Sequence, residues 1–111
     1  EDVLFGGSFS YLQVNPSGIV VQGNTFTKDV RWNPADPSYD GSHWSVKNLL
    51  EFKTGVGIEV ENNVFENNWP NADQSGIGVM LVSQVSQYNA NWDGNYSVSD
   101  VAIAGLQFIH F

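Results

Sequence analysis

The sequence predicts an all-β solenoid of about three rungs with long loops on one side. Three observations support this prediction. A motif of apolar and Asn residues occurs three times, its apolar residues alternate with the period of two that is typical of strands, and a second apolar motif precedes each copy. The copies are GIVVQGNTF at 18–26, GIEVENNVF at 57–65 and VAIAGLQF at 101–108.

The repeated motif predicts an interior built from equivalent positions. Alternate residues of a strand point to the same face, so three side chains of each copy should face inward and stack on those of the next copy. The stacked positions are Ile19, Ile58 and Val101, then Val21, Val60 and Ile103, then Phe26, Phe65 and Phe108.

The preceding motif predicts a second strand type in each repeat. It reads VLFGG at 3–7, NLLEF at 48–52 and IGVML at 77–81. The connection at Thr54 and Gly55 is short, whereas segments 27–47, 66–76 and 84–99 are long. In a solenoid the strands keep a regular spacing while the loops differ in length. We expect these three long loops to follow the same strand type and therefore to leave the solenoid on the same side.

Two asparagines mark a predicted bend within the repeated motif. Asn24 and Asn63 occupy the same position, two residues before the Phe. Asn tolerates left-handed backbone and bonds to neighbouring peptide groups, so these two side chains should hydrogen-bond from rung to rung. The third copy has Leu106 at this position, which limits the predicted Asn ladder to two rungs.

Length and charge limit the size of the folded unit and the kinds of partner that it binds. Residues 1–111 are long enough for one folded unit. Three rungs leave open strand edges, so we predict that this unit is a segment of a longer solenoid or assembly. The chain has no cysteine, and 12 acidic residues against 4 basic ones give a net charge of −8. Nucleic acid and membranes are therefore not expected as partners. The basic residues are scattered at Lys28, Arg31, Lys47 and Lys53.

The stretches IVVQGNTF, HWSVKNLLEFKTG, IEVENNVFENNW and SGIGVMLV resemble secreted bacterial right-handed parallel β-helix repeat proteins of the pectate-lyase-like superfamily. The likeness covers nearly the whole chain, and DPSYDGSHWSVKNLLEFK followed by VENNVFENNW is its most specific part. The resemblance implies a right-handed parallel β-helix at the cell surface or outside the cell. Members normally have more rungs and capped ends, and the enzymes among them are lyases or hydrolases of acidic polysaccharides.

The residues that such enzymes need are sparse in this sequence. The resemblance implies clustered Asp with a basic residue for a lyase, yet Arg31 is the only arginine and no Asp pair falls on a predicted strand. Glu59 and Glu61 would lie about 7 Å apart on one strand face, and we interpret them as solvated carboxylates. Glu51 is interpreted as the partner of Lys53 in a structural ion pair. Catalysis is therefore ranked below binding.

The segment DPSYDG contains the only motif that suggests a metal. Asp36 and Asp40, followed by Gly41, partly match oxygen-rich Ca²⁺ loops, although such sites take about 6–8 oxygens. A simple turn is the favoured interpretation. No cofactor is predicted, and Ca²⁺ at Asp36 and Asp40 stays an alternative.

The aromatic residues of the long loops suggest carbohydrate binding. Aromatic rings against sugar C–H faces, with carboxylates and amides bonding to hydroxyls, would form a binding groove, whereas rings that pack the loops are the alternative for each individual residue. The predicted ligand-binding residues are Trp32, Tyr39, Trp44, Trp69, Tyr88, Trp92 and Tyr96.

Two function classes follow. The first is a non-catalytic extracellular β-helix module that binds polysaccharide through its aromatic and acidic loop surface. The second is a structural or adhesive element whose rungs stack end to end with copies of itself into a longer solenoid or filament. A polysaccharide lyase or glycoside hydrolase ranks third.

Overall fold

The computed structural model describes residues 2–6, 14–70, 76–83 and 97–110 of the 111-residue chain. Almost all of the regular structure of these described residues is β-strand, and they include one 3-10 helix at Val30–Trp32. The strands in chain order are β1 (Val3–Phe5), β2 (Ser17–Gln22), β3 (Thr25–Thr27), β4 (Leu50–Phe52), β5 (Gly55–Glu61), β6 (Val64–Glu66), β7 (Val79–Leu81), β8 (Val98–Ala104) and β9 (Gln107–Ile109).

The strands form three parallel sheets, each with one strand from every repeat. The sheet orders are β1-β4-β7, β2-β5-β8 and β3-β6-β9, and every neighbouring pair is parallel. Each rung therefore has three strands, and successive rungs stack through hydrogen bonds between equivalent strands. The prediction of an all-β, solenoid-like stack of three rungs is confirmed.

The stacked positions predicted from the repeats are confirmed by the strand register. Ile19 pairs with Ile58, which pairs with Val101, and the same holds for the columns that begin at Val21 and Phe26. The Phe65 ring is stacked between those of Phe26 and Phe108, at centroid distances of 5.0 and 5.3 Å. The middle rung supplies most of the fully buried core side chains, namely Leu49, Leu50, Phe52, Ile58, Val60 and Phe65.

Each repeated motif is divided into two strands by a corner. At this corner Gly23, Asn62 and Gly105 have φ values of 67°, 54° and 63°. The left-handed residue thus lies one position before the Asn expected to adopt it. Glycine and asparagine tolerate that conformation better than other residues do, which explains why these two types occupy the corner.

Asn24 and Asn63 hydrogen-bond from rung to rung immediately after this corner. The Asn63 Oδ1 accepts from the Asn24 backbone N–H at 2.9 Å and from the Asn24 Nδ2 at 3.1 Å. The Asn63 Nδ2 donates to the Val21 carbonyl at 2.8 Å. Asn63 is completely buried, so these three bonds replace the water that its carboxamide loses on folding.

The expectation that all three long loops follow the same strand type is wrong. Segments 27–47 and 66–76 follow β3 and β6, but segment 84–99 lies between β7 and β8. Its flanking strands, β7 and β8, pair with β4 and β5, which are joined in the middle rung by the short connection at Lys53 and Thr54. Tyr88, Trp92 and Tyr96 belong to this third segment and lie outside the described residues.

Candidate ligand-binding site

The loop between β3 and β4 is organised by a series of turns in which a side-chain oxygen accepts the backbone N–H two residues later. The N···O distances lie between 2.8 and 3.0 Å. Asp and Asn favour such turns because their short side chains mimic a backbone carbonyl. The acceptors are Asp29, Asn33, Asp36 and Asp40.

The predicted metal ligands Asp36 and Asp40 take part in these turns. The Asp36 Oδ1 also accepts from the Ser38 hydroxyl at 2.6 Å, and the Asp40 Oδ2 accepts from the Trp44 indole N–H at 3.3 Å. Hydrogen bonds from Ser38 lower the pKa of Asp36, and the Ser42 backbone N–H lowers the pKa of Asp40. Within the described part of the chain, no group of three or more His, Cys, Asp or Glu side chains is placed to hold a metal ion.

A cavity of about 390 Å³, here called the corner cavity, lies where strands of the third sheet end. Asn67 and His110 follow β6 and β9 at equivalent positions, with φ values of 54° and 56°. The loop after β3 supplies the remaining wall. The cavity is lined by Val30, Asn33, Asp36, Asn67, Asn68, Trp69 and His110.

Two polar groups of this cavity lack hydrogen-bond partners among the described residues. Asn68 is only 3% exposed, and within this part of the chain neither its Oδ1 nor its Nδ2 has a partner; the same holds for the Trp69 Nε1. Gly76 packs so closely that a Cβ there would lie 2.5 Å from the Asn68 Oδ1. An unsatisfied buried polar group costs about 1–3 kcal/mol, so a ligand that paired with Asn68 would relieve this cost.

Asp36 adds an ionised acceptor to the same cavity wall. Its hydrogen bonds from Ser38 engage only Oδ1, and among the described residues Oδ2 accepts none. The cavity therefore combines an indole, several carboxamides and a carboxylate oxygen. This set of donors and acceptors is suited to a ligand that carries hydroxyl groups.

The predicted aromatic residues are distributed unequally around this site. Trp69 lines the corner cavity. Trp32 and Trp44 pack against each other with ring centroids 5.3 Å apart, and the Tyr39 hydroxyl donates to the Ser42 carbonyl at 2.8 Å. Trp44 remains 45% exposed. The structure thus brings Trp69 together with Asp36 in the lining of the cavity, whereas the Trp32–Trp44 pair lies outside that lining.

The glutamates weighed as candidate acids lie elsewhere. Glu59 and Glu61 belong to β5 and alternate with the buried Ile58 and Val60, so they face outward. The side chain of Glu51 is buried, accepts from the Asn48 Nδ2 at 2.9 Å and lies 3.5 Å from the Lys53 ammonium. This arrangement matches the structural ion pair that the sequence suggested.

Sequence reasoning did not single out Asn67, Asn68 or His110. The signal was available in the repeat alignment, because Asn67 and His110 directly follow equivalent strands. Loops that follow equivalent strands of stacked rungs are neighbours in space. Polar residues at such positions are therefore candidates for one shared site.

Comparisons of the chain with protein-family models, curated proteins and solved structures give no significant match. The described residues also contain no helix with the length and hydrophobicity needed to cross a membrane. The corner cavity and its residues are therefore the features of the chain that indicate a function.

Proposed function

We propose that the chain is a non-catalytic carbohydrate-binding module that takes a saccharide into the corner cavity. The observation that carries this proposal is the buried Asn68 carboxamide, which lines the cavity without a hydrogen-bond partner among the described residues. A sugar hydroxyl both donates and accepts, so it can pair with either atom of the amide. Both amide atoms are shielded from water, so pairing with a ligand requires the side chain to turn toward the cavity.

The size and composition of the cavity support a small saccharide unit. Ligand pockets typically enclose about 300–1,000 Å³ and combine an aromatic surface with a few convergent polar groups. The corner cavity, at about 390 Å³, falls at the lower end of this range. Trp69 supplies the aromatic surface, while Asn33 and Asp36 add polar groups from the facing loop.

The proposal extends to the winding and the location of the solenoid. Parallel strands joined by crossover connections are right-handed in about 98% of cases, which supports a right-handed parallel β-helix of the pectate-lyase-like kind. Secretion follows from the same resemblance and suits a protein that meets polysaccharide outside the cell.

Saccharide binding is tested by calorimetry of the wild-type chain and two tryptophan variants against a panel of oligosaccharides. Trp69→Ala should weaken binding at least about tenfold, which corresponds to 1.4 kcal/mol. Trp44→Ala is the matched control, since Trp44 is exposed but does not line the cavity. Absence of binding to every saccharide, or equal losses in the two variants, would refute the proposal.

A second candidate function is end-to-end assembly, and one observation favours it. Ile103 is 47% exposed, whereas Val60, its equivalent in the middle rung, is fully buried. The outer edge of the third rung therefore offers an apolar surface on which the first rung of a second copy could stack. Ile103→Lys should abolish concentration-dependent assembly in sedimentation experiments. Ala102→Lys, on the outward face of the same strand, should preserve this assembly. A strictly monomeric wild-type chain would exclude this function.

A further inference from the structure

We propose that the corner cavity selects neutral saccharides and discriminates against their acidic counterparts, the uronates. This inference rests on the proposed carbohydrate-binding function and specifies its ligand class. It concerns the charged groups at the cavity and the positions of the basic side chains.

Asp36 is the one carboxylate among the described residues that line the cavity, and none of those residues is a Lys or an Arg. Hydrogen bonds from Ser38 hold the pKa of Asp36 below its ordinary value, so the group is ionised at neutral pH. A uronate bound here would bring a second negative charge close to the first. Like charges placed close together repel each other, most noticeably at low salt.

No lysine or arginine among the described residues is positioned to offset this repulsion. Lys28 occupies the position of the first rung that corresponds to Asn67 and His110, but its side chain is buried and paired with Asp2. Arg31 is engaged with the carboxylate of Asp29, the turn acceptor at the start of the same loop.

The remaining two of the four lysine and arginine residues also lie outside the cavity lining. Lys53 lies 3.5 Å from the buried Glu51, and Lys47 does not line the cavity. Recognition of sugar carboxylates usually relies on a paired cation, most often an arginine. The described residues that line the cavity include no arginine or lysine, and Asp36 contributes a carboxylate.

The neutral groups favour hydroxyls instead. Among the described residues, the Asn68 carboxamide offers one acceptor and two donor hydrogens that have no partner, and the Asp36 Oδ2 accepts no hydrogen bond. A sugar hydroxyl can donate to the carboxylate and accept from the amide at the same time. A carboxylate can only accept, so a uronate whose carboxylate took the place of that hydroxyl would oppose Asp36 with a second acceptor.

The test uses pairs of oligosaccharides that differ only in charge: oligomers of galactose, glucose and mannose, each compared with its 6-carboxylate counterpart. Calorimetry at neutral pH and low salt, with and without Ca²⁺, gives the affinity of every member. We expect at least one neutral oligomer to bind at least about tenfold more tightly than its acid, in both conditions. Equal or tighter binding of the acids, including binding that appears only with Ca²⁺, would overturn this inference while leaving carbohydrate binding intact.

Asp36→Asn tests the cause of the discrimination. Asn33 shows that an asparagine makes the same type of turn in this loop, so the variant should keep the loop while removing the charge. The neutral-to-acid affinity ratio should fall by at least about threefold, and an unchanged ratio would overturn the assignment to Asp36. If no member of any pair binds the wild-type chain, the proposed function itself fails, which is a distinguishable outcome.

Discussion

Asn63 and Asn68 are both buried but differ in their hydrogen bonds, so the same substitution should have opposite effects at the two positions. Asn63 makes three hydrogen bonds, to Asn24 and Val21, whereas neither polar side-chain atom of Asn68 has a partner among the described residues. Leucine has nearly the same branching as asparagine and occurs naturally at the Asn63 position of the third rung, as Leu106. Replacing each asparagine by leucine therefore changes polarity with little change in shape.

The expected changes in the free energy of unfolding follow from the hydrogen bonds that each substitution removes. Asn63→Leu removes three hydrogen bonds that contribute about 0.5–1.5 kcal/mol each, and it also removes the donor that pairs with the Val21 carbonyl. The free energy of unfolding should therefore fall by about 2–4 kcal/mol. Asn68→Leu removes two unsatisfied atoms and should leave this free energy unchanged or raise it by about 1 kcal/mol. The gain in stability should be accompanied by loss of saccharide binding, as expected when a residue is retained for function.

Urea unfolding followed by circular dichroism measures both changes, provided that the slopes with denaturant agree between variants. Asn24→Ala serves as a further control, since Asn24 is exposed and water can replace its side-chain bonds; its cost should stay below about 1 kcal/mol. A loss of stability in Asn68→Leu equal to that in Asn63→Leu would refute the interpretation of Asn68 as a ligand-binding residue.

Three other predictions concern the core and the loop. Gly55→Ala should cost about 1–3 kcal/mol in urea unfolding, because φ is +149° and a Cβ would lie 2.9 Å from the δ-methyl of an isoleucine; an unchanged midpoint would contradict this packing. Phe65→Ala should cost about 3–5 kcal/mol and Phe108→Ala clearly less, since Phe108 is 52% exposed; equal costs would contradict the order of burial. Hydrogen bonds lower the folded-state pKa of Asp36 and Asp40 from 3.8. The stability that these two carboxylates contribute is therefore present above pH 3.8 and is lost as the pH falls through the lowered pKa. NMR titrations of the carboxyl groups should give midpoints below 3.8, and higher midpoints would exclude these turns.

The rung architecture was predictable because it depends on short-range patterns. The period of two identifies strands, and the fixed spacing from the inward Val to the Phe determines which residues stack. The Val21 and Phe26 columns continue through the middle rung in the expected register. A shift of one residue would have turned the apolar side chains toward solvent, so the sequence permits few alternatives.

The loops were less predictable because their contacts depend on the stacking of rungs. Asp36 resembles a metal ligand in isolation, but its carboxylate bonds to Ser38 two residues later. Asn67 and Asn68 are of a residue type that is common in any polar loop. Only the alignment of β6 with β9 brings that segment next to His110.

The third long segment shows a different limit. Its aromatic residues join those of the other loops only if all three loops leave the rung at one corner. The sequence shows two apolar motifs per repeat, whereas each rung has three strands with separate corners. Chain order alone places segment 84–99 between β7 and β8, so its position could have been predicted from the sequence if three strands per repeat had been recognised.

Saccharide binding at the corner cavity is tested most directly by two-dimensional NMR of the side-chain N–H groups. The Trp69 indole and the Asn68 carboxamide lack hydrogen-bond partners in the part of the chain that the structure describes, so their proton resonances should move downfield in a saturable manner as a neutral oligosaccharide is added. Saturable binding whose shifts map elsewhere, with the Trp69 and Asn68 resonances unchanged, would contradict the assignment of the ligand to this cavity.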